Sequence, residues 1–248
     1  MSLTIQKPNS KIPLVEIKNA LPCNIVKRPN RFVVEIKDHN GKTARACINN
    51  TGRLEGYLEK GKTGFCIRNK PGMKTSYRLF SIKINEEFST IIDTNMQMRV
   101  FEKALELGVV PWLKNCRCVK RNVRLGESVI DYLIKCEKEE IYLEVKSAVK
   151  RKNIFAMYPD APSERGRKHI IELKNAINMG KNAMVVFISS LPNVKAFKPS
   201  EEIDPMFNEI LKSAYKNGLE INSLNIYYNQ KDGKIYLENP YLEIILQG

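Results

Sequence analysis

The chain has 248 residues, 43% hydrophobic and 27% charged, so one large domain or two ordinary ones can bury a core without metal or disulfide staples. A formal net charge of +14 and a pI near 9.5 favour a polyanionic partner. Met1–Pro8 has no hydrophobic signal core and no apolar run approaches bilayer length, which leads us to expect a cytoplasmic protein with no membrane partner.

The charge is segregated. Residues 1–80 hold 16 Lys/Arg against 5 Asp/Glu, a net of +11, whereas residues 81–248 hold 25 against 22, a net of +3. Clustered cations release counterions when they meet a phosphate backbone, so this segregation predicts a nucleic-acid partner and strong salt dependence. From Arg31 to about Lys83 short β-like runs alternate with turns, beginning with Phe32–Lys37, Asn40-Gly41 and Thr43–Ile48. That spacing predicts a small five-stranded barrel of the oligonucleotide-binding (OB) kind over residues 1–83. Arg31, Arg45, Arg53, Arg68 and Lys74 are its candidate phosphate contacts. Phe32, Tyr57, Phe65 and Tyr77 serve either as stacking surfaces for bases or as core.

Beyond residue 83 a second domain, 84–248, is expected. Asp93-Thr94-Asn95 caps a helix running from about Met98 to Leu107, with Gly108 ending it. Glu102 on this helix reads either as a site acid or, with Glu106, as a solvated face. The cysteines, Cys23, Cys47, Cys66, Cys116, Cys118 and Cys136, fit no zinc spacing and read as buried thiols.

Ser128 to Ser147 reads as a β-hairpin. If Asp131 lies opposite Glu144, then Leu133 faces Tyr142 and Lys135 faces Glu140, while Ile130/Val145, Tyr132/Leu143 and Ile134/Ile141 pair on an apolar face. Residues two apart on a strand share a side, so Asp131, Glu144 and Lys146 converge on the other face. Two carboxylates suit a hard divalent cation whose remaining positions go to water and phosphate. A neighbouring amine can orient water and offset charge on phosphate. The alternative is a polar face of ordinary solvated charges.

Ala148–Pro162 reads as a loop with a cationic cluster, Lys150, Arg151 and Lys152, that could lie over the hairpin. Ser163 then caps a helix to Met179 with an Ile170, Leu173, Ile177 stripe, and Ala183–Ile188 reads as a buried parallel strand, completing a βαβ unit. On that helix Arg165 and His169 are candidate phosphate contacts, with a solvent-facing histidine as the alternative. Asp204-Pro205 opens a further helix through Tyr215, and Leu219–Tyr228 is a strand before an Asp232-Gly233 turn. With two histidines in all and no phosphate-binding glycine loop, neither a His-activated nucleophile nor a nucleotide cofactor is indicated.

Asn50–Leu54, Ser128–Tyr132, Tyr142–Ser147, Tyr158–Ala161 with Glu164–Gly166 and His169, and Ile203–Pro205 together make the chain resemble the sugar fermentation stimulation protein A family. The resemblance implies an α/β (α+β overall) protein: an OB-like barrel followed by a PD-(D/E)XK nuclease-like mixed sheet flanked by helices. It also implies DNA binding. In that superfamily the hairpin's acids bind Mg²⁺, for which Mn²⁺ can substitute, and its lysine positions water; these roles carry onto Asp131, Glu144 and Lys146, and the helix acid onto Glu102. Val129 departs from the arginine common at its position, and Gln97-Met98 from a Pro-Asn. The expected function is a DNA-binding protein with a Mg²⁺-dependent phosphodiesterase centre. The alternatives are a non-catalytic DNA-binding regulator of sugar-metabolism genes and an RNA-binding protein. A homo-oligomer is not indicated.

Overall fold

A computed structural model describes residues 11–137 and 139–246. Met1–Pro8, read above for targeting, lies outside the described residues. The first strand, β1 (Ile12–Glu16), falls within the predicted barrel segment but is not a barrel strand: it pairs antiparallel with residues 234–237 near the other end of the chain. The barrel itself comprises β2 (Leu21–Asn30), β3 (Val33–Lys37), β4 (Thr43–Cys47), β5 (Thr63–Arg68) and β6 (Tyr77–Lys83). They run in the order β4-β3-β2-β5-β6, and Ala46/Tyr77 with Cys47/Arg78 close the ring. Gly41 sits at φ +76° in the β3–β4 turn, where glycine bears no Cβ penalty, and the Asp38 carboxylate accepts from the Asn40 and Lys42 amides. Alternate strand positions, among them Ile25, Val34, Ile36, Ala46 and Leu79, fill the barrel interior. Of the four candidate aromatics only Phe32 is presented to solvent. Tyr77 and Tyr57 pack on the barrel core, and Phe65 packs edge-on against Tyr228.

β7 (Phe88–Ile91) joins the barrel wall to the second sheet by pairing with both β6 and residues 228–229. Asp93 then caps α1 (Thr94–Glu106), whose Met96, Val100, Phe101 and Ala104 face the core. An antiparallel run follows: β8 (Cys116–Leu125), β9 (Ser128–Cys136) and β10 (Glu139–Ala148). The predicted loop 148–162 is in large part ordered strand, since β11 (Lys150–Lys152) and β12 (Phe155–Tyr158) pair across the short turn between them. α2 (Glu164–Asn178) is capped by Ser163 as predicted, and leads to β13 (Asn182–Ser189), parallel to β10. β14 (Ala196–Pro199), α3 (Pro205–Lys216), β15 (Glu220–Asn229), β16 (Lys234–Asn239) and β17 (Glu243–Ile244) complete the chain. Among the described residues the large sheet continues from the barrel through β7-β15-β13-β10-β9-β8, and β11-β12-β14-β17 form a small second sheet. One apolar cluster lies under α1, another under α2 and α3.

The cysteines depart from the expectation of buried thiols. Cys116 and Cys136 face each other at the ends of β8 and β9 and are joined as a disulfide, Cys118 is exposed, and only Cys23 and Cys66 are buried free thiols.

Asp204 ties the two helices of the α2/α3 layer together. It caps α3 by accepting from the Phe207 amide at 3.0 Å, accepts from the Ser163 amide at 2.9 Å, and receives both bonds of Arg167 Nη1 at 2.9 and 2.8 Å. Burial works to raise its pKa, but these donors outweigh it and hold the carboxyl below its ordinary value. Its stabilisation is therefore present above the usual carboxylate range and lost as pH falls through the lowered folded value. Asp204→Ala is expected to cost about 2–4 kcal/mol in urea unfolding at neutral pH, because a cap is lost and Arg167 is left without its partner. That cost should shrink toward pH 3, and equal stability of variant and wild type at neutral pH would refute this role.

Candidate functional site

The hairpin register is as the sequence requires over most of its length: Tyr132/Leu143, Leu133/Tyr142, Ile134/Ile141 and Lys135/Glu140 are cross-strand pairs. It stops there. Ile130 does not pair with Val145; it pairs with Val123 on β8, while Val145 pairs with Val186 on β13. Ile130 packs under α2 and Tyr132 under α1, although residues two apart on a regular strand share a face. β9 and β10 thus fork at Asp131 and Glu144, and the two carboxylates satisfy amides that a continuing ladder would have paired. The Val145 amide donates to Asp131 Oδ2 at 2.8 Å and the Asp131 amide to Glu144 Oε2 at 3.2 Å.

Glu144 and Lys146 point to the same side of β10, both inside the protein, and Lys146 Nζ donates to Glu144 Oε1 at 2.6 Å. His169 reaches the same oxygen from α2 through Nδ1. A carboxylate only accepts, so Nδ1 donates to Glu144, with Lys146 Nζ 3.2 Å from the same nitrogen and Arg165 Nε 3.3 Å from Nε2. His169 is buried against the site, which overturns its alternative reading as a solvent-facing residue. The signal for this was present: His169 lies four residues before Leu173 and one before Ile170, on the stripe that faces the sheet.

These contacts separate the two acids. Burial, then the charge of Glu144, pushes the Asp131 carboxyl up to about 7. Burial also opposes the charge of Glu144, but the Lys146 ammonium and His169 hold its carboxyl well below the ordinary value. The lysine is raised in turn: burial works against the ammonium, but Glu144, with Tyr158 and Asp131, together outweighs it. In the metal-free protein Lys146 is therefore held as a buried ammonium.

The site lies on the floor of a cleft of about 400 Å³ between the two halves of the chain. The barrel contributes Asn49–Gly52, α1 contributes Thr94, Gln97 and Met98, and the loop before α2 contributes Tyr158–Ser163. Glu102 is not in this cleft. Its carboxylate accepts from the Tyr132 hydroxyl at 2.7 Å and pairs with Arg121. It stands five residues beyond Gln97, about 7.5 Å along the helix and 140° around it, so the helix acid of the expected pattern is turned away. The buried Gln97 takes that place. Its Nε2 donates to the Ile91 carbonyl at 2.7 Å, while its buried Oε1 has no partner among the described residues.

Of the remaining predicted contacts, Arg165 lines the cleft. Lys150 and Lys152 pair with Glu202, and Arg151 donates to the Pro192 carbonyl; all three sit on or beside the small sheet and none lines the cleft. Arg31, Arg45, Arg53, Arg68 and Lys74 are exposed on the barrel, with Arg45 beside Glu35 and the guanidinia of Arg31 and Arg68 over Phe32 and Tyr77. Sequence reasoning passed over Arg78, Arg99 and Arg121, which line a groove adjoining the cleft. They come from three separate segments, and no local pattern links them.

A divalent cation fits the donor set. Asp131 and Glu144 offer oxygen only, Gln97 Oε1 is an unpartnered oxygen in the same cleft, and among the described residues no group of three or more His, Cys, Asp or Glu forms a metal cage. Two carboxylates with water and phosphate match a cation that keeps much of its hydration.

Residues 26–91 match the SfsA N-terminal OB domain, and residues 95–232 match the sugar fermentation stimulation protein RE domain. A sugar fermentation stimulation protein homolog of Pyrococcus furiosus is 44% identical over 93% of this chain and 99% of its own, and one of Archaeoglobus fulgidus is 43% identical over 94% and 99%. The solved structure of Pyrococcus furiosus SfsA in complex with Ca²⁺ superposes with a TM-score of 0.89 at 42% identity, covering 94% of this chain and 99% of that one.

Proposed function

The chain belongs to the sugar fermentation stimulation protein family, and we propose that it is a DNA-binding phosphodiesterase that uses a divalent cation, Mg²⁺ or Mn²⁺. The observation that carries this reading is the convergence of Asp131, Glu144 and Lys146 at a fork in the sheet, on the floor of a cleft roofed by the basic OB barrel. The relative solved with Ca²⁺ supports a divalent-cation site. In this reading Asp131 and Glu144 hold the cation, Gln97 Oε1 orients its water shell, and Lys146 stands beside the scissile phosphate. Bound there, the cation polarises the phosphoryl oxygen and eases deprotonation of the attacking water. Lys146, kept charged by Glu144, stabilises the negative charge gathering on phosphorus rather than removing a proton. His169 is a positioning residue: it fixes the carboxylate of Glu144 and is itself oriented by Arg165. The barrel's excess of cations supplies backbone affinity without sequence preference.

Incubation at low salt with single- and double-stranded DNA and with matched RNA, in Mg²⁺ or Mn²⁺ and in chelator, tests this. DNA cleavage that chelator abolishes and added salt suppresses is expected. Cation-independent binding with no cleavage of any substrate would favour a regulator, and preferential cleavage of RNA would reassign the ligand.

A further inference from the structure

From Asp131 the cleft runs two ways. On one side it passes Thr94, Met98 and Arg165 into a groove of about 610 Å³ that carries Arg99 together with Arg78 and Arg121, which are paired with Asp93 and Glu102. On the other it ends at Val149 and Asp160, beyond which lies a separate depression floored by Leu54–Tyr57 and Arg151. A wall stands between them. The Leu54 amide donates to Asp160 Oδ2 at 3.0 Å, and the Tyr57 hydroxyl to the Val149 carbonyl at 2.8 Å. Gly52 lies so close that a Cβ there would fall 2.4 Å from both Asp160 carboxylate oxygens.

This wall is braced from behind. Arg28 Nη1 donates to the carbonyls of Gly52 at 2.8 Å and Arg53 at 2.7 Å. Asn50 donates to the Ile92 carbonyl at 3.1 Å and accepts from the Gly52 amide at 2.9 Å. A segment with its backbone groups paired on both sides has little freedom to swing aside as a lid. The whole cleft, at about 400 Å³, is at the small end of the roughly 300–1,000 Å³ range that encloses one drug-sized ligand, the size class of a nucleotide.

We propose that the site is one-ended: a single strand lies with its phosphates along the Arg78/Arg99/Arg121 groove, its terminal nucleotide lodges against the Gly52–Asp160 wall, and hydrolysis falls near the strand end. This deepens the phosphodiesterase reading and rests on it. The step balances without a further reactant, since water gives its oxygen and one proton to the phosphate product and its other proton to the departing ester oxygen. A strand that continued beyond the site would have to cross the Leu54–Asp160 and Tyr57–Val149 contacts of the wall.

Competition binding in Ca²⁺ compares a linear single strand with the same sequence closed into a circle, and with linear strands carrying streptavidin at the 5′ or the 3′ end. The circle, and the strand blocked at one of its ends, are expected to compete about tenfold or more weakly than the free linear strand. Asp160→Ala should narrow the difference between circle and line by releasing the wall. A circle that competes as well as the line with wild-type protein overturns the proposal, whatever the variant does. The same substrates in Mn²⁺ separate the two readings. Equal cutting of circle and line sinks the one-ended site and keeps the phosphodiesterase. End-dependent binding with no cutting keeps the seat and sinks the enzyme, and failure to bind either strand sinks both.

Discussion

Glu144→Ala is expected to destabilise the metal-free protein by about 3–5 kcal/mol, because it removes the hydrogen-bonded counter-charge of the buried Lys146 ammonium. It also removes the acceptor of His169, so two buried donors lose their partner at once. For a chain of this size that loss corresponds to a fall in Tm on the order of 10 °C. The interpretation is checked by Glu144→Leu with Lys146→Met: if the cost arises from the unpaired charge, the apolar pair recovers most of the stability without recovering any site chemistry. Urea unfolding of wild type, single and double variants measures it. A single variant as stable as wild type would mean that Lys146 does not depend on Glu144.

Asp131→Asn is expected to act in the opposite direction on stability while removing activity. Folding raises the carboxyl of Asp131 to about 7, chiefly through burial, so the native state favours its protonated form. The stability this lends is complete below the ordinary carboxylate range and is lost as pH rises through about 7, an effect on the order of 2–4 kcal/mol. Asparagine stays neutral, so the metal-free variant should be more stable than wild type at pH 8 and no more stable at pH 4. Its amide can no longer hold a divalent cation as a carboxylate does. With several kcal/mol of transition-state stabilisation gone, cleavage should fall by about 10³-fold or more. Thermal unfolding with and without Mn²⁺ provides a readout independent of turnover: the cation stabilises wild type and leaves Asp131→Asn unmoved. A variant that still gains stability from Mn²⁺ and still cuts DNA would remove Asp131 from the site. A group that costs the empty protein stability and is useful only when occupied is what a binding site is expected to contain.

Much of this was legible in the chain itself. The helix caps at Asp93, Ser163 and Asp204, the Asn40-Gly41 turn and the apolar pairing of the hairpin from Tyr132 to Cys136 act over a few residues, and the structure follows them. The closed barrel and mixed sheet follow from the same short-range patterns of strand, turn and helix. Strand periodicity also put Glu144 and Lys146 on one side of β10, whereas Asp131 meets Glu144 through the fork rather than through the paired register that the sequence suggested.

Tertiary structure alone decided the rest, because each part depends on which elements meet. The fork that ends the hairpin lies where β9 stays paired to β8 through Ile130/Val123 and β10 to β13 through Val145/Val186 while the pairing between β9 and β10 stops, and neither outer strand is local to the hairpin on both sides. Glu102 was excluded and Gln97 admitted by the rotation of α1 against the sheet, which no spacing within the helix reveals. β1 left the barrel segment for β16 because the free edge it covers comes from the far end of the chain. The Gly52–Asp160 wall joins residues more than a hundred positions apart, and a contact at that separation is set by how barrel and sheet dock rather than by any local preference of either segment.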